Sequence, residues 1–377
     1  MTDLALPDTF LELRSTLTED GVVTLGARET SLVAPGDDQV VVRIEAAPIN
    51  PSDLGMLFAG GDLTAATATG TDDLPAVALP TALAGQGARV GKPMAVGNEG
   101  GGVVVAAGSS PAAQAMIGKV VGFLSGNSYA QYRTLHVSQC LVMGDGTDPA
   151  DAAAAFVNPL TALGMVETMR SEGHTALVHT VGASNLGLML NRVCRDDGVG
   201  LVNIVRRPDH VDQLRAEGAE HVVDSSAVGF LDDLAAALRA TGATIAFDAI
   251  GGGDLASVLL ASMERVAGEQ LGEFSRYGSD THKQVYVYGG LDRAPTILRR
   301  DFGMSWGIGG WLLTPFLIRI GQEAADRLRQ RVADEITTTF ASTYGTRLSL
   351  RDVVDPEMVR RYGKMATGDK ALVTPHA

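Results

Sequence analysis

The feature that most constrains this chain is a regular alternation, through its second half, of short apolar runs with amphipathic stretches. The runs ALVHTVG (176–182), GLVNIVR (200–206), HVVDS (221–225), TIAFDAI (244–250) and QVYVYGG (284–290) follow one another at intervals of roughly 25 to 30 residues. Between them the apolar spacing predicts helices over 186–196, 209–217, 229–240 and 254–266. The third is expected to bury Phe230, Leu231, Leu234 and Leu238 on one face. Strand and helix repeated in this way require right-handed crossovers and a parallel, doubly wound sheet. The first half reads differently. DQVVVRIEAA (38–47), VVVAA (103–107), KVVGFL (119–124) and YAQYRTL (129–135) are β-branched, partly alternating and separated by glycine-rich turns, which predicts a mostly antiparallel β domain. The Ala/Thr/Gly/Pro tract 60–93 has little periodicity and is expected to be a long surface loop or lid. The run 149–169 reads as helical, and a further helix over 323–336 with a short tail is expected to return the chain to its first domain. The fold class is therefore α/β with a second, β-rich domain.

Length and charge narrow the function. A chain of 377 residues is about two domains' worth. Its net charge of −14 argues against a nucleic-acid or anionic-membrane partner. The apolar stretch 308–318 is interrupted by Gly309, Gly310, Thr314 and Pro315, so no membrane-spanning helix is expected. The segment 1–14 carries Asp3, Asp8 and Glu12 where a signal peptide would be basic and then apolar, so a cytoplasmic location is expected. The two cysteines, Cys140 and Cys194, are too few for a four-thiolate zinc site and read as small core residues.

The chemistry centres on the turn after the first strand of the α/β half, His179 to Gly187, where Gly182, Ala183, Ser184, Asn185, Leu186 and Gly187 lead into a helix. Small residues at such a turn let backbone N–H groups approach a pyrophosphate at a helix N-terminus. The G-x-G-x-x-G pattern is not matched, because Val181 and Ser184 stand at glycine-like positions, and the bare string fits a tight structural turn equally well. The surrounding strand–helix–strand context favours the cofactor reading. At the end of the second strand, where NAD sites place an acidic residue for the ribose hydroxyl, this chain has Arg206 and Arg207. Guanidinium groups suit a 2′-phosphate, so NADPH is the expected cofactor; two solvated arginines capping a strand are the plainer alternative.

The strings AAPINPSDL (46–54), GNEGGGVVVAAG (97–108), NSYAQY (127–132), NPLTAL (158–163), the loop above and EGAEHVV (217–223) occur in order over nearly the whole chain. Together they resemble the zinc-free quinone and enoyl-thioester reductases of the medium-chain dehydrogenase/reductase superfamily. The resemblance implies a GroES-like catalytic domain (1–156, with the return 317–377), a Rossmann NADPH-binding domain (157–316), and a cleft in which hydride passes to a quinone or activated alkene. It also implies a homodimer whose Rossmann sheets join edge to edge. It would set Asn50 and Thr161 near the nicotinamide ring, Gly289 and Gly290 near its carboxamide, and Gly310, Trp311 and Leu312 along the far wall of the substrate pocket. The plainer readings are a turn for Asn50, a helix cap for Thr161, backbone turns for the glycines and core for Trp311.

Zinc enzymes of that superfamily carry a Cys near the INPSD position and a His-Glu pair in the glycine block. Asn50 and Asn98-Glu99 stand there instead, so a metal-free enzyme is expected, and His179 reads as a core histidine. Without a Lewis acid, hydride addition to an electron-poor acceptor is the consistent chemistry. Enoyl-thioester reductases carry a proton-donating tyrosine about eleven residues after the motif asparagine, and this chain has Gly61 there. Tyr129 is a candidate replacement. A quinone dianion takes protons from water, which favours a quinone or related α,β-unsaturated carbonyl over an enoyl-CoA as the small-molecule substrate. The competing class is a non-catalytic NADPH-binding sensor or structural protein. The segment 264–283, with Arg276, Tyr277, His282 and Lys283 in its polar part, reads either as a contact for substrate phosphates or a dimer, or as a solvated insertion.

Overall fold

The computed structural model describes residues 6–272 and 275–377. The first five residues of the segment read as lacking a signal peptide, and Glu273 and Phe274 within 264–283, lie outside the described residues. The chain divides into two compact units, one formed by the N-terminal part to Val157 together with Arg329–Ala377, the other by Asn158–Leu328.

The first unit is built on two β-sheets. In the larger, the strand Gln39–Pro48 is central, pairing antiparallel with Glu99–Ala107, Tyr132–His136 and the short C-terminal strand Ala371–Val373. Its β-branched run Val40, Val41, Val42 and Ile44 is fully buried, as a strand covered on both faces demands. The smaller sheet is carried by the antiparallel pair Thr9–Leu17 and Val22–Ser31, whose inward residues Leu13, Leu17, Val23 and Leu25 are fully buried. The tract 60–93 corrects the expectation of a loop or lid. It contains a hairpin of Thr67–Gly70 and Pro75–Pro80 that extends the smaller sheet through pairing with Val22–Ser31. Its alternation was hidden because only Val77 and Leu79 face inward, and Ala and Pro fill the other positions.

The second unit is a six-stranded, wholly parallel sheet in the order His221–Asp224, Gly200–Val205, Ala176–His179, Ile245–Asp248, Lys283–Val287, Trp306–Gly310. This is the doubly wound arrangement that the alternation dictates, and its strand order reverses direction between Ala176–His179 and Ile245–Asp248. The crossover helices Asn185–Asp196, Pro208–Ala216, Phe230–Thr241 and Leu255–Glu269 lie within a residue or two of the expected ranges at most ends. One face differs. Leu234 and Leu238 are buried on the helix Phe230–Thr241, but Leu231 is 53% exposed and does not join the core. The sixth strand, WGIGG, was unread because its glycines carry no apolar pattern.

Cys194 is buried and Cys140 half-buried, and burial pushes the Cys140 thiol up to about 12. Lys283 is not the solvated residue its sequence context suggests. It is fully buried, paired with Glu264 and bonded to Ser279 Oγ at 3.1 Å, which clips the end of the 264–283 segment to the helix Leu255–Glu269. Among the described residues no helix is long and apolar enough to cross a membrane.

Candidate active site

Each unit carries a polar constellation around residues that the sequence reading singles out. In the doubly wound unit it forms where the strand order reverses, the place at which such sheets receive ligands beyond the carboxyl ends of their strands. The strand Ala176–His179 ends there, and Val181 adopts a left-handed φ of 56°. A β-branched residue in that region is strained, which bears out the reading of position 181 as a glycine-like position occupied by something larger. The turn then closes on itself. Gly182 N–H donates to the Ile204 carbonyl (2.9 Å), and Ser184 caps the helix by accepting Gly187 N–H on its hydroxyl (3.1 Å). A Cβ on Gly187 would lie 2.1 Å from the Gly182 carbonyl oxygen, and one on Gly182 would lie 2.9 Å from Asn203 Cβ. Both positions therefore require glycine for close approach, as a dinucleotide loop does.

The neighbouring strand end fastens this loop. Thr180 donates its hydroxyl to Asp248 (3.1 Å) and accepts Ala249 N–H (2.8 Å), while Asp248 also accepts the N–H groups of Ile250 and Gly251 at 2.9 and 3.1 Å. His179 is fully buried. It shares a 2.7 Å hydrogen bond with Tyr288, on which it stacks, and desolvation pulls its ring down to about 3, so it is neutral. Gly289 and Gly290 follow Tyr288; a Cβ on Gly289 would meet the Ala249 carbonyl at 2.6 Å, whereas Gly290 has open space. Sequence reasoning missed the pair Thr180 and Asp248. The one available signal was an acid ending the otherwise apolar run TIAFD.

The two arginines at the end of Gly200–Val205 part company. Both are exposed, but Arg207 is held by Asp209 through two hydrogen bonds, whereas Arg206 has no ion-pair or hydrogen-bond partner among the described residues. Thr161 is buried on the helix Val157–Ser171, inside the first turns rather than at the cap. Trp311 is core. Its indole N–H donates to Thr168 Oγ1 (3.0 Å), its ring lies against Phe316 and Phe247, and a Cβ on Gly164 would already be 2.9 Å from it. Leu312 is exposed.

In the β-rich unit the constellation gathers around Asn50, at the start of the helix Pro51–Phe58. Asn50 N–H donates to Asp53 Oδ2 (2.8 Å), and Asn98 N–H donates to Asp53 Oδ1 (2.9 Å). Asn50 Nδ2 donates to Glu99 Oε1 (2.8 Å), while Glu99 Oε2 accepts the N–H groups of Phe156 and Val157 at 2.9 and 2.8 Å. Asn50, Asp53 and Glu99 are all buried. Burial, outweighing the two backbone donors, pushes the Asp53 carboxyl up to about 7. Tyr129 is fully buried, and its hydroxyl donates to the Pro48 carbonyl (3.1 Å). Burial, with Asp53 as a neighbour, holds its pKa well above the ordinary value. Gly61 is closed by packing, since a Cβ there would lie 2.2 Å from Leu79 Cδ1 and 2.8 Å from the Pro80 carbonyl. Among the described residues no group of three or more His, Cys, Asp and Glu side chains is arranged to hold a metal ion.

No family model matches the chain. It is 29% identical over 311 residues, 79% of its own length and 76% of the relative's, to the mitochondrial enoyl-[acyl-carrier-protein] reductase of Caenorhabditis elegans. It spans about half the length of several other curated relatives that it matches. Among solved structures, a protein of Mesorhizobium loti assigned as an NADPH:quinone reductase superposes with a TM-score of 0.72 at 24% identity, covering 99% of this chain and 100% of the other. A mycobacterial protein complexed with NADPH superposes with a TM-score of 0.67 at 17% identity over 97% and 100%. The curated relatives include enoyl-[acyl-carrier-protein] reductases, synaptic vesicle membrane protein VAT-1 homologues and a quinone oxidoreductase, and the chain has the fold of the quinone reductase and enoyl reductase structures on which it superposes.

Proposed function

We propose that this chain, with the fold of a medium-chain oxidoreductase, is an NADPH-dependent, zinc-independent reductase of quinones or related α,β-unsaturated carbonyls. The observation that carries the cofactor assignment is Arg206, an exposed and unpartnered guanidinium at the end of the second sheet strand, beside a loop whose Gly182 and Gly187 tolerate no side chain. When bound, NADPH supplies a hydride from its nicotinamide. Arg206 holds the 2′-phosphate by charge-assisted hydrogen bonds, and Arg207, engaged by Asp209, contributes less. The N–H groups of the turn Gly182 to Gly187 hold the pyrophosphate at the helix N-terminus, and Gly289 and Gly290 leave room for the carboxamide. On the resemblance alone, Asn50 and Thr161 would orient the reacting ring. Tyr129, whose proton is committed to Pro48, is poorly disposed as an acid, and this supports protonation of a reduced quinone from water. The homodimer is retained as part of the proposal.

The test is anaerobic NADPH oxidation with a simple benzoquinone and a short enoyl-CoA in parallel, and with NADH as control. Quinone turnover with NADPH preferred is expected. Arg206→Ala is expected to raise KM for NADPH by at least about ten-fold, equivalent to ~1.4 kcal/mol, with little change for NADH, and Arg207→Ala to do less. Enoyl-CoA turnover alone would overturn the acceptor assignment, and equal losses for both nucleotides would overturn the role of Arg206.

A further inference from the structure

The Asn50 cluster holds one cation that the proposed chemistry does not use. Lys370 directly precedes the strand Ala371–Val373, and Ile49 N–H donates to the Ala371 carbonyl (2.9 Å), which brings Lys370 beside the chain segment bearing Asn50. Its ammonium nitrogen is buried 5.8 Å from the centre of the Tyr344 ring and has no hydrogen-bond partner among the described residues. It is the cation whose charge acts on both buried carboxylates, Asp53 and Glu99. Glu99 is surrounded by donors only. Both its oxygens are taken up by the N–H groups of Asn50, Phe156 and Val157, and a protonated acid would set its own O–H against one of them. Three donors and no acceptor around Glu99 fit the carboxylate; burial raises the Glu99 carboxyl and lowers the Lys370 ammonium, and the charge of each opposes the shift of the other.

We propose that Lys370 is a positioning residue that acts through Glu99, its ammonium allowing Glu99 to stand as the carboxylate that locks the Asn50 amide. The inference rests on the reading of Asn50 as a residue that positions the reacting ring. One Nδ2 proton of Asn50 is fixed on Glu99, which sets the plane of the amide, and its carbonyl oxygen has no hydrogen-bond partner among the described residues.

The other titratable groups that face this cluster are Asp53 on the helix Pro51–Phe58, Tyr129, Tyr344 and Tyr362, with Asp151 acting on Tyr344. Burial holds all three tyrosines above their ordinary values, so in the neutral range they stay uncharged, whereas Asp53, pushed up to about 7, titrates there in every variant, and the limb that belongs to Glu99 is the one Glu99→Gln removes. Removing the ammonium leaves Glu99 easier to protonate, and raising the pH restores its charge.

The experiment compares wild type, Lys370→Met, Lys370→Arg, Glu99→Gln and the double variant Lys370→Met/Glu99→Gln. It measures kcat, KM for NADPH, and the side-chain amide resonances of Asn50 from pH 6 to 9, these resonances being assigned by their loss in Asn50→Asp. Lys370→Met is expected to lower kcat at pH 6 by about 100-fold with KM for NADPH little changed, and to recover as pH rises. Its amide resonances should change over the same limb, which the double variant should lack, and Lys370→Arg should restore both. A Lys370→Met enzyme with wild-type kcat and unchanged amide resonances would overturn the proposal, as would the same pH limb in the double variant. Wild-type protein that oxidises no NADPH would overturn the proposed function instead, and the amide resonances would still decide the role of Lys370.

Discussion

At the scale of single residues, the chemistry depends on which polar atoms are already engaged. Arg206 and Arg207 are indistinguishable as a dipeptide, yet Asp209 removes one of them from competition for an anion. Tyr129 reads in sequence as a candidate proton donor and in the fold is a buried donor to Pro48. Asp53 makes a measurable case. Its carboxyl titrates at about 7 in the folded chain against an ordinary value of 3.8, so between those pH values the native state binds more protons than the unfolded state. Stability from this group is accordingly highest below pH ~4 and falls as pH rises towards 7, by up to about 1.4 kcal/mol per pH unit. In urea unfolding at pH 4 to 8, wild type should lose stability relative to Asp53→Asn across that window and run parallel to it above. Parallel curves throughout would show that Asp53 does not titrate there.

At the scale of elements, close packing explains a departure from what the resemblance implies. A tyrosine would be expected at Gly61 on that resemblance, but Leu79 and Pro80 of the hairpin strand Pro75–Pro80 fill the space that its side chain would need. Gly61→Tyr is therefore expected to destabilise the chain by about 1–3 kcal/mol, read from its denaturation midpoint, and not to create an enoyl reductase. A stable variant with new enoyl-CoA turnover would show that the hairpin yields. The loop at 179–187 is the converse case. There the glycines that matter, Gly182 and Gly187, are needed because Asn203 and the Gly182 carbonyl crowd them, while strained Val181 shows that a third glycine-like position can be filled.

At the scale of the whole molecule, the β-rich unit depends on both ends of the chain. Ala371–Val373 pairs with Gln39–Pro48 on one side and Thr346–Leu348 on the other, and its Leu372 and Val373 are fully buried. Truncation after Lys370 should cost at least ~3 kcal/mol from lost burial alone, lower the melting temperature, and abolish the proposed activity even though the turn at 182–187 is untouched. Unchanged melting would mean that the returning strand is dispensable.

The doubly wound half was legible because strand and helix periods are local properties: Val, Ile and Leu at spacings of two or about three and a half residues declare their element before any packing is known. The tight turn at 182–187 was legible for the same reason, being a short contiguous string at the end of a strand. The hairpin within 60–93, the core placement of Trp311 and the burial of Lys283 were not, because each depends on what lies opposite. The Asn50, Glu99 and Lys370 cluster draws on residues far apart in the chain, joined only once Gln39–Pro48 has paired with Glu99–Ala107 and with Ala371–Val373. The sequence by itself determined the alternating elements of the doubly wound half and the tight turn that opens it; tertiary structure alone decided which charged and polar groups face one another, because hydrogen bonding and desolvation act between neighbours in space rather than in sequence.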